Sequence, residues 1–189
     1  MVNFNEYMNE IDFSGFKKLF LEKGKSIEFK KKDYFVKQNE PCKFVGFVES
    51  GIFRYTRIDN EGNEPIVGYS FTDNFVCDYP SLIKHSGSLT NIQAVTDCSV
   101  YMLSMKELND YWETNMDTQR FGRLVAEEIF IAQYKRLLDL YCDNAEQSYI
   151  SLLKRCPNLP QYITLKEIAS FIGVTPETVS NIRRKLRQK

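Results

Sequence analysis

The stretch ITLKEIASFIGVTPETVSNIRRKL, residues 163–186, predicts two short helices joined by a tight turn. Thr164 and Glu167 are three residues apart, which is the spacing of a capping box. In a capping box the two side chains satisfy backbone N–H groups that the start of a helix leaves unpaired. We therefore expect a first helix that begins after Thr164 and runs to about Phe171.

A second helix is predicted directly after the turn. Gly173 permits the sharp change of direction, and Thr175 has the side chain of an N-cap. Pro176 suits the first helical position, because its missing N–H would have no partner there. The apolar residues expected to pack the two helices together are Ile168, Ala169, Val174, Val179, Ile182 and Leu186. Two helices in this arrangement form a helix-turn-helix, whose second helix enters the major groove of DNA.

The second helix carries a polar outer face at helical spacing. Its candidate base-reading residues are Glu177, Ser180, Asn181 and Arg184. The candidate phosphate contacts are Thr175, Thr178, Arg183, Lys185 and Arg187. Glutamate can accept a hydrogen bond from cytosine N4, whereas asparagine prefers adenine. We therefore expect a palindromic site that is richer in A·T pairs at the position read by Asn181.

The charge distribution favours a nucleic-acid partner over the alternative, an ordinary pair of amphipathic helices. Residues 154–189 hold eight basic residues against two acidic ones, a balance of +6. The chain has 25 residues of each sign, so residues 1–153 hold 17 basic and 23 acidic residues and balance at −6. A basic module attracts the phosphates of double-stranded DNA, whereas an acidic body is repelled by them.

Length and composition limit the class of protein. With 189 residues and 43% hydrophobic content, the chain is long enough for one larger and one smaller domain, each with a core. No apolar run approaches the length of a membrane span, and the first ten residues lack the layout of a signal peptide. We therefore expect a cytoplasmic protein with no membrane partner.

The chain has few of the residues that catalysis or metal binding usually requires. Its five cysteines are scattered and never form a C-x-x-C pair, and it has a single histidine. A metal site of the cupin type needs several histidines, and no phosphate-binding glycine pattern is present. We therefore expect no enzyme activity, no metal and no resident cofactor.

Between residues 26 and 105, short apolar runs alternate with turn residues, as in antiparallel sheets. The predicted strands are 26–29, 44–49, 52–58, 64–70, 92–95 and 98–103. Gly62 suits the positive φ of a hairpin between two of them. Strands this short and frequent close into a barrel or sandwich. Ahead of them, a helix is expected over residues 4–23.

After the strands, residues 106–141 predict helix with a break near Asn115. The second part is apolar around much of its circumference, so it must bury more than one face. We expect one face on the barrel and another on the same helix of a second subunit; the alternative is a simple core helix. The residues assigned to this dimer helix are Phe121, Leu124, Val125, Ile131 and Leu138. A two-fold dimer presents two recognition helices one DNA turn, roughly 34 Å, apart.

These parts, in this order, resemble the Crp/Fnr family of bacterial transcription regulators. The segment FVESGIFR, residues 47–54, is similar to the family's Phe-Val-x-x-Gly-x-x-Arg strand pair, ETVS at 177–180 lies in the recognition helix, and Pro157 precedes the DNA-binding module. The resemblance implies a homodimer on double-stranded DNA, with RNA polymerase as a further candidate partner. Because Pro176 and Asn181 stand where the family often has arginine, it also implies a site unlike the usual half-site.

The resemblance further implies an α+β fold in three parts. These are an N-terminal double-stranded β-helix, or jelly-roll, barrel of the cyclic-nucleotide-binding type over residues 1–112, a long dimerisation helix over 113–143 and an all-α helix-turn-helix over 144–189. No β-hairpin wing is expected after the second helix, where the given sequence ends.

The barrel would be a sensor, but its ligand residues depart from the family. Members that bind cyclic nucleotides hold the ribose and the phosphate with Gly-Glu and then Arg-Ser or Arg-Thr, whereas Cys77-Asp78 and Ser88-Leu89 stand here. A phosphate without an arginine loses its main charge-assisted contact, so binding of cAMP is not expected. The candidate pocket for a different, unknown small-molecule effector consists of Arg54, Asp78, Tyr79, Ser88 and Thr90. The alternative is that these are surface-loop polar residues.

A function of a different class stays open from the sequence. The protein could be a sensor or interaction protein that binds an unknown small ligand and does not read DNA. Salt-dependent binding to a specific duplex would separate the two hypotheses.

Overall fold

The computed structural model describes residues 4–188, which form seven α-helices and eight strands. The strands are β1 Lys25–Phe29, β2 Tyr34–Val36, β3 Phe44–Ser50, β4 Ile52–Thr56, β5 Ile66–Phe71, β6 Phe75–Val76, β7 Asn91–Ala94 and β8 Cys98–Ser104. The helices are α1 Ser14–Lys23, α2 Tyr79–Lys84, α3 Met105–Trp112, α4 Met116–Cys142, α5 Ala145–Arg155, α6 Leu165–Phe171 and α7 Pro176–Arg187. Among the described helices, none is both long enough and apolar enough to span a membrane.

The strands form two four-stranded antiparallel sheets in the orders β1-β8-β3-β6 and β2-β7-β4-β5. Eight strands interleaved between two sheets in this way make a jelly roll, which confirms the predicted architecture. The first apolar core fills the space between the sheets with Val48, Phe53 and Val100, and α1 closes it with Phe20. Strand β5 lies at an edge of its sheet, so its outer backbone groups face helices rather than another strand.

Two glycines make the turns that join the strands. Gly51 connects β3 to β4 at φ +100°, and a Cβ there would come within 2.5 Å of the sulfur of Cys98. Gly62 lies in the β4–β5 connection at φ +83°, as the sequence predicted for a hairpin. Both φ values lie in a backbone region that residues with a Cβ rarely adopt.

The predicted N-terminal helix over residues 4–23 is wrong in its first half. A short 3₁₀ helix covers Glu6–Asn9, and α1 begins at Ser14, whose N–H donates to Asp12 Oδ1 at 2.9 Å. The break lies between Phe4 and Phe13, whose rings pack in two different apolar cores. Within the barrel, β2, β6 and α2 were not predicted either, because each is too short to show a period in the sequence.

The helical region after the strands breaks where the sequence predicted. Asn115 caps α4 by accepting hydrogen bonds from the N–H groups of Asp117 and Thr118, both at 2.9 Å. Of the residues assigned to the dimer helix, Phe121 and Val125 pack against the barrel core instead of facing outward. Leu124, Ile131 and Leu138, spaced by seven, are exposed. Helix α4 therefore has one face on the barrel and one open to solvent.

A second apolar core joins the barrel to the C-terminal helices. It combines Ile66, Tyr69 and Phe71 of strand β5 with Phe4 and with the helix-turn-helix. The helix-turn-helix contributes the apolar residues that the sequence predicted. Buried in the core are Ile168, Ala169, Val179 and Ile182, and packed against them are Val174 and Leu186. Helix α5, which the sequence analysis did not predict, contributes Tyr149 and Leu152. The barrel and the helix-turn-helix thus share one packed interior.

Candidate functional site

The four residues predicted to read bases lie on one exposed face of α7. Glu177, Ser180, Asn181 and Arg184 are all exposed, while Val179 and Ile182 on the opposite face are buried. Arg184 Nη2 donates to Asn181 Oδ1 at 3.1 Å, so two of the four side chains are hydrogen-bonded to each other. Side chains on one exposed face of an amphipathic helix can reach base edges without disturbing the packing below.

The start of α7 is fixed by the predicted N-cap. Thr175 Oγ1 accepts from the N–H of Thr178 at 3.2 Å, and the two hydroxyl oxygens lie 3.1 Å apart. The N-terminus of a helix carries partial positive charge and favours phosphate. Thr175 and Thr178, both predicted phosphate contacts, are therefore placed where an anion would be stabilised.

The three basic residues predicted to contact phosphate lie along the second half of α7. Lys185 Nζ is 2.5 Å from Glu146 Oε2 on α5, so this lysine has an ion-pair partner within the chain. Burial raises the pKa of Tyr149 on α5, and the charges of Arg183 and Arg187 partly offset that rise. Arg183 is half-buried, and Arg187 is exposed.

An ion pair attaches the helix-turn-helix to the barrel. Arg54 Nη1 on β4 lies 3.2 Å from Glu167 Oε1 on α6, and Arg54 Nη2 donates to Gln93 Oε1 at 3.0 Å. The other oxygen of Glu167 accepts from the backbone N–H and the hydroxyl of Thr164 at 2.8 and 2.9 Å, which completes the predicted capping box. One carboxylate thus starts α6 and holds it to the barrel. Arg54, a predicted effector residue, lies at this interface rather than with the other four.

Arg136 of α4 makes a second attachment. Its Nη1 donates to the carbonyl of Val67 on β5 at 2.6 Å, and its guanidinium lies 4.2 Å from the centre of the Phe171 ring at the end of α6. Burial, and to a lesser extent the charge of Arg155, lowers the pKa of Arg136 to about 10. Beside it, the N–H of Ile66 donates to Ser170 Oγ at 3.0 Å. Strand β5, α4 and α6 therefore meet at one junction.

Three of the predicted effector residues form a closed hydrogen-bond cluster around Asp78. Its Oδ1 accepts from the N–H of Ser81 at 3.1 Å, which caps α2. Its Oδ2 lies within hydrogen-bond distance of the Ser88 hydroxyl at 2.8 Å, the Leu89 N–H at 2.9 Å and the Thr90 hydroxyl at 3.2 Å. Asp78 and Ser88 are buried, so the cluster is internal. Tyr79, the remaining predicted residue, is half exposed beside it.

A cavity of about 770 Å³ lies between the barrel and helices α3 and α4. Its lining is mainly aromatic and aliphatic, and it includes Tyr55, Cys77 and Trp112 together with Asp78, Tyr79 and Thr90 of the predicted set. Burial raises the pKa of the Cys77 thiol well above its usual range, with smaller contributions from Cys42 and Asp78, so this thiol is not activated.

The sequence analysis missed the contribution of α4 to this cavity. The helix presents Gln119, Gly122, Ala126, Ile129, Gln133 and Arg136 to it. Their alternating three- and four-residue spacing was a usable signal, because residues so spaced share a helix face. Within residues 4–188, no three histidine, cysteine, aspartate or glutamate side chains come together in a way that could hold a metal ion.

Comparison with known proteins identifies what the fold is similar to. Residues 26–115 match the family described as cyclic nucleotide-binding domain. The search of curated proteins by sequence returns no significant match. Among solved structures, FixK2 from Bradyrhizobium japonicum is 16% identical, with a TM-score of 0.74 over 87% of this chain and 85% of that one.

Two further structures extend the likeness over nearly the whole chain. The regulator CLP of Xanthomonas campestris, described as responsive to c-di-GMP, is 15% identical, with a TM-score of 0.70 over 93% of this chain and 92% of that one. A transcriptional regulator of the Crp/Fnr family from Eubacterium rectale is 16% identical, with a TM-score of 0.66 over 97% of this chain and 88% of that one. The resemblance seen in the sequence is confirmed in the fold.

Replacing Glu167 tests whether one carboxylate serves both the cap and the barrel attachment. Glu167→Gln keeps a side chain that can form the capping box but removes its charge, so we expect the free energy of unfolding to fall by about 1 kcal/mol. Glu167→Ala also removes the cap and should cost about 2 kcal/mol. Both values are obtained from urea denaturation.

Glu107 provides the matched control for this experiment. It forms the same capping box with Ser104 on α3, and its carboxylate is bonded there to the Ser104 N–H and hydroxyl, both at 2.7 Å. We expect Glu107→Gln to leave stability nearly unchanged. Equal losses for Glu107→Gln and Glu167→Gln would show that the pair with Arg54 contributes nothing.

Proposed function

We propose that this chain, which has the fold of the Crp/Fnr transcriptional regulators and a cyclic nucleotide-binding domain over residues 26–115, is a sequence-specific DNA-binding transcriptional regulator that acts as a dimer. The observation that carries the proposal is the exposed polar face of α7. Glu177, Ser180, Asn181 and Arg184 lie together on it, on a helix whose start and buried face are both fixed. Such a face is what base reading requires.

The charge of the C-terminal segment supports a DNA partner. Lys185 is paired with Glu146, but Arg183 and Arg187 add two guanidinium groups within five residues of α7. Arginines at such positions contact phosphates and fix the register of the protein on the duplex. The acidic body balances these charges, so contact with DNA is directed to α7.

The outer face of α4 supports dimerisation. Leu124, Ile131 and Leu138 recur every seven residues, and Tyr134 and Tyr141 fall three residues after two of them. These five side chains are exposed by 38% to 84%, an apolar stripe that a single chain leaves in water. A seven-residue apolar repeat is the pattern by which two helices pack in a coiled coil. A second copy of α4 is the occupant that matches this stripe.

The proposal assigns neither catalysis nor a resident cofactor to the chain. The structures it resembles include proteins named as regulators. RNA polymerase is a candidate partner, because a regulator on DNA acts through the transcription machinery. If α7 proves not to read DNA, the remaining hypothesis is a sensor that binds a small ligand and acts through a protein partner.

The DNA-reading role is tested by in-vitro selection from a random duplex library, followed by binding of variants to the enriched site. We expect a two-fold symmetric motif whose affinity falls steeply with salt. Asn181→Ala should cost about 1–3 kcal/mol and relax the preference at one position of each half-site. Arg183→Ala should weaken binding to all sequences and reduce the salt slope by about 1 per recognition helix.

Lys18 is an exposed residue of α1, which packs on the first core rather than on the core that holds α7, so Lys18→Ala is the control variant and should bind as the parent does. The proposal fails if a folded protein enriches no motif, or if Asn181→Ala weakens binding equally on every sequence. The second result would show that Asn181 contacts the DNA backbone rather than a base.

Charge placed on the α4 stripe tests the dimer. The double variant Ile131→Glu and Leu138→Glu should shift the protein from dimer to monomer in sedimentation velocity, because two like-charged pairs would meet across the axis. Leu21→Glu, a similar change at a half-exposed leucine on α1, should leave the dimer intact. A monomeric parent protein at micromolar concentration would contradict the proposal.

A further inference from the structure

The domain family implies a cyclic nucleotide as ligand, and the cavity beside α4 can be tested for fit to one. A nucleotide brings a phosphate, which needs cations or backbone N–H donors. Among the residues that line the cavity, the charged ones are Asp78 and Arg136. The phosphate would therefore have to use the donors around Asp78, the guanidinium of Arg136, or both.

The donors around Asp78 are already bonded to its carboxylate. The Ser81 N–H, the Leu89 N–H and the Thr90 hydroxyl lie within 3.2 Å of its oxygens, and so does the Ser88 hydroxyl. The side chain of Asp78 thus acts as an internal anion at this turn. A phosphate would have to displace it and would meet a second negative charge, because Asp78 is buried and has no ion-pair partner within residues 4–188.

Arg136 is also engaged in the fold. Its guanidinium bonds the Val67 carbonyl and lies on the Phe171 ring, so recruiting it for a phosphate would break the junction between α4, β5 and α6. The cavity therefore lacks a site for an anion of this size. The residues present do not fit a cyclic nucleotide.

The rest of the lining suits an apolar ring system. The rings of Tyr7, Phe75 and Trp112 face the cavity together with the aliphatic side chains of Val125 and Ile129. The Tyr55 hydroxyl lies 3.0 Å from Ser70 Oγ, whose own proton goes to the Phe75 carbonyl at 2.7 Å, so Tyr55 is the donor in this pair. Gln119 and Gln133 add amide groups along α4.

We infer that this cavity binds an uncharged, ring-containing apolar small molecule, with Asp78 as a built-in anion that excludes phosphate-bearing ligands. The inference deepens the proposed function by naming the ligand class of its sensor barrel. The size fits, since a volume of about 770 Å³ lies in the range of about 300–1,000 Å³ for small-molecule sites. A second copy of α4 would not fill the cavity, because the cavity-facing residues and the stripe of Leu124, Ile131 and Leu138 lie on different faces of the helix.

The single tryptophan of the chain allows a direct test without DNA. Trp112 lines the cavity, so a dye bound there should quench the fluorescence of Trp112 by energy transfer. The probe is N-phenyl-1-naphthylamine, an uncharged naphthalene that brightens in apolar surroundings and accepts energy from tryptophan. We expect saturable binding of one probe per chain with loss of Trp112 emission. Uncharged aromatic compounds should displace the probe, whereas cAMP and inorganic phosphate should not.

Filling the cavity should weaken this binding. Ala126 lines the cavity from α4, and Ala126→Phe should weaken the affinity for the probe at least about tenfold, whereas Leu21→Phe on the exposed side of α1 should not change it. Val67→Phe fills the same cavity from β5 and serves if Ala126→Phe does not fold.

Three results would overturn the inference: no saturable binding to the folded parent protein, displacement of the probe by cAMP, or binding that Ala126→Phe and Val67→Phe leave intact. Because the assay contains no DNA, these results are independent of whether the selection experiment enriches a motif. A protein that binds the probe but enriches no DNA would refute the proposed function and leave the ligand class standing.

Discussion

The structure depends on one apolar contact between the barrel and the helix-turn-helix. The ring of Phe4 packs on Tyr69, Phe71 and Phe171 with centroid distances of 5.5, 5.8 and 4.9 Å, so it joins strand β5 to the end of α6. Buried aromatic pairs contribute about 0.5–1.5 kcal/mol each beyond the area they bury. Without this contact, the exposed edge of β5 and the short α6 would each leave apolar surface in water. The position of α7, and with it the direction of the candidate base-reading face, follows from this packing.

Polar groups give the contact a defined geometry, which apolar packing alone does not specify. Glu167 is held by its own capping box and by Arg54, while Arg136 bonds β5 and lies on Phe171. Arg136 also lines the cavity, so the proposed ligand would touch the residue that holds α6 against the barrel. A change in cavity occupancy can therefore move the helix-turn-helix without a flexible linker carrying the signal. In this arrangement the cavity and the proposed DNA-reading helix belong to one packed unit.

The sequence predicted the features that depend on near neighbours. The cap at Thr164, the turn at Gly173 and the apolar face of α7 are local patterns, and each is confirmed in the structure. It did not predict contacts between distant segments. Arg54 was assigned to an effector pocket, but its partner Glu167 lies 113 residues away and depends on how the helix-turn-helix docks. Asp78 was identified as a polar pocket residue, yet its role as an internal anion depends on the turn at residues 88–90. The residues that line the cavity come from segments spread between Phe4 and Arg136, and no local sequence pattern shows that these segments meet.

Native-state hydrogen exchange at increasing urea tests most directly whether the barrel and the helix-turn-helix form one cooperative unit. The shared core predicts that amides of α6 and α7 open with the same free energy and the same urea dependence as amides of β5, because exposing Phe171 also exposes Phe4 and Tyr69. Exchange of α6 and α7 at a clearly lower free energy, while β5 stays protected, would contradict this account. It would show that the helix-turn-helix is attached to the barrel only loosely.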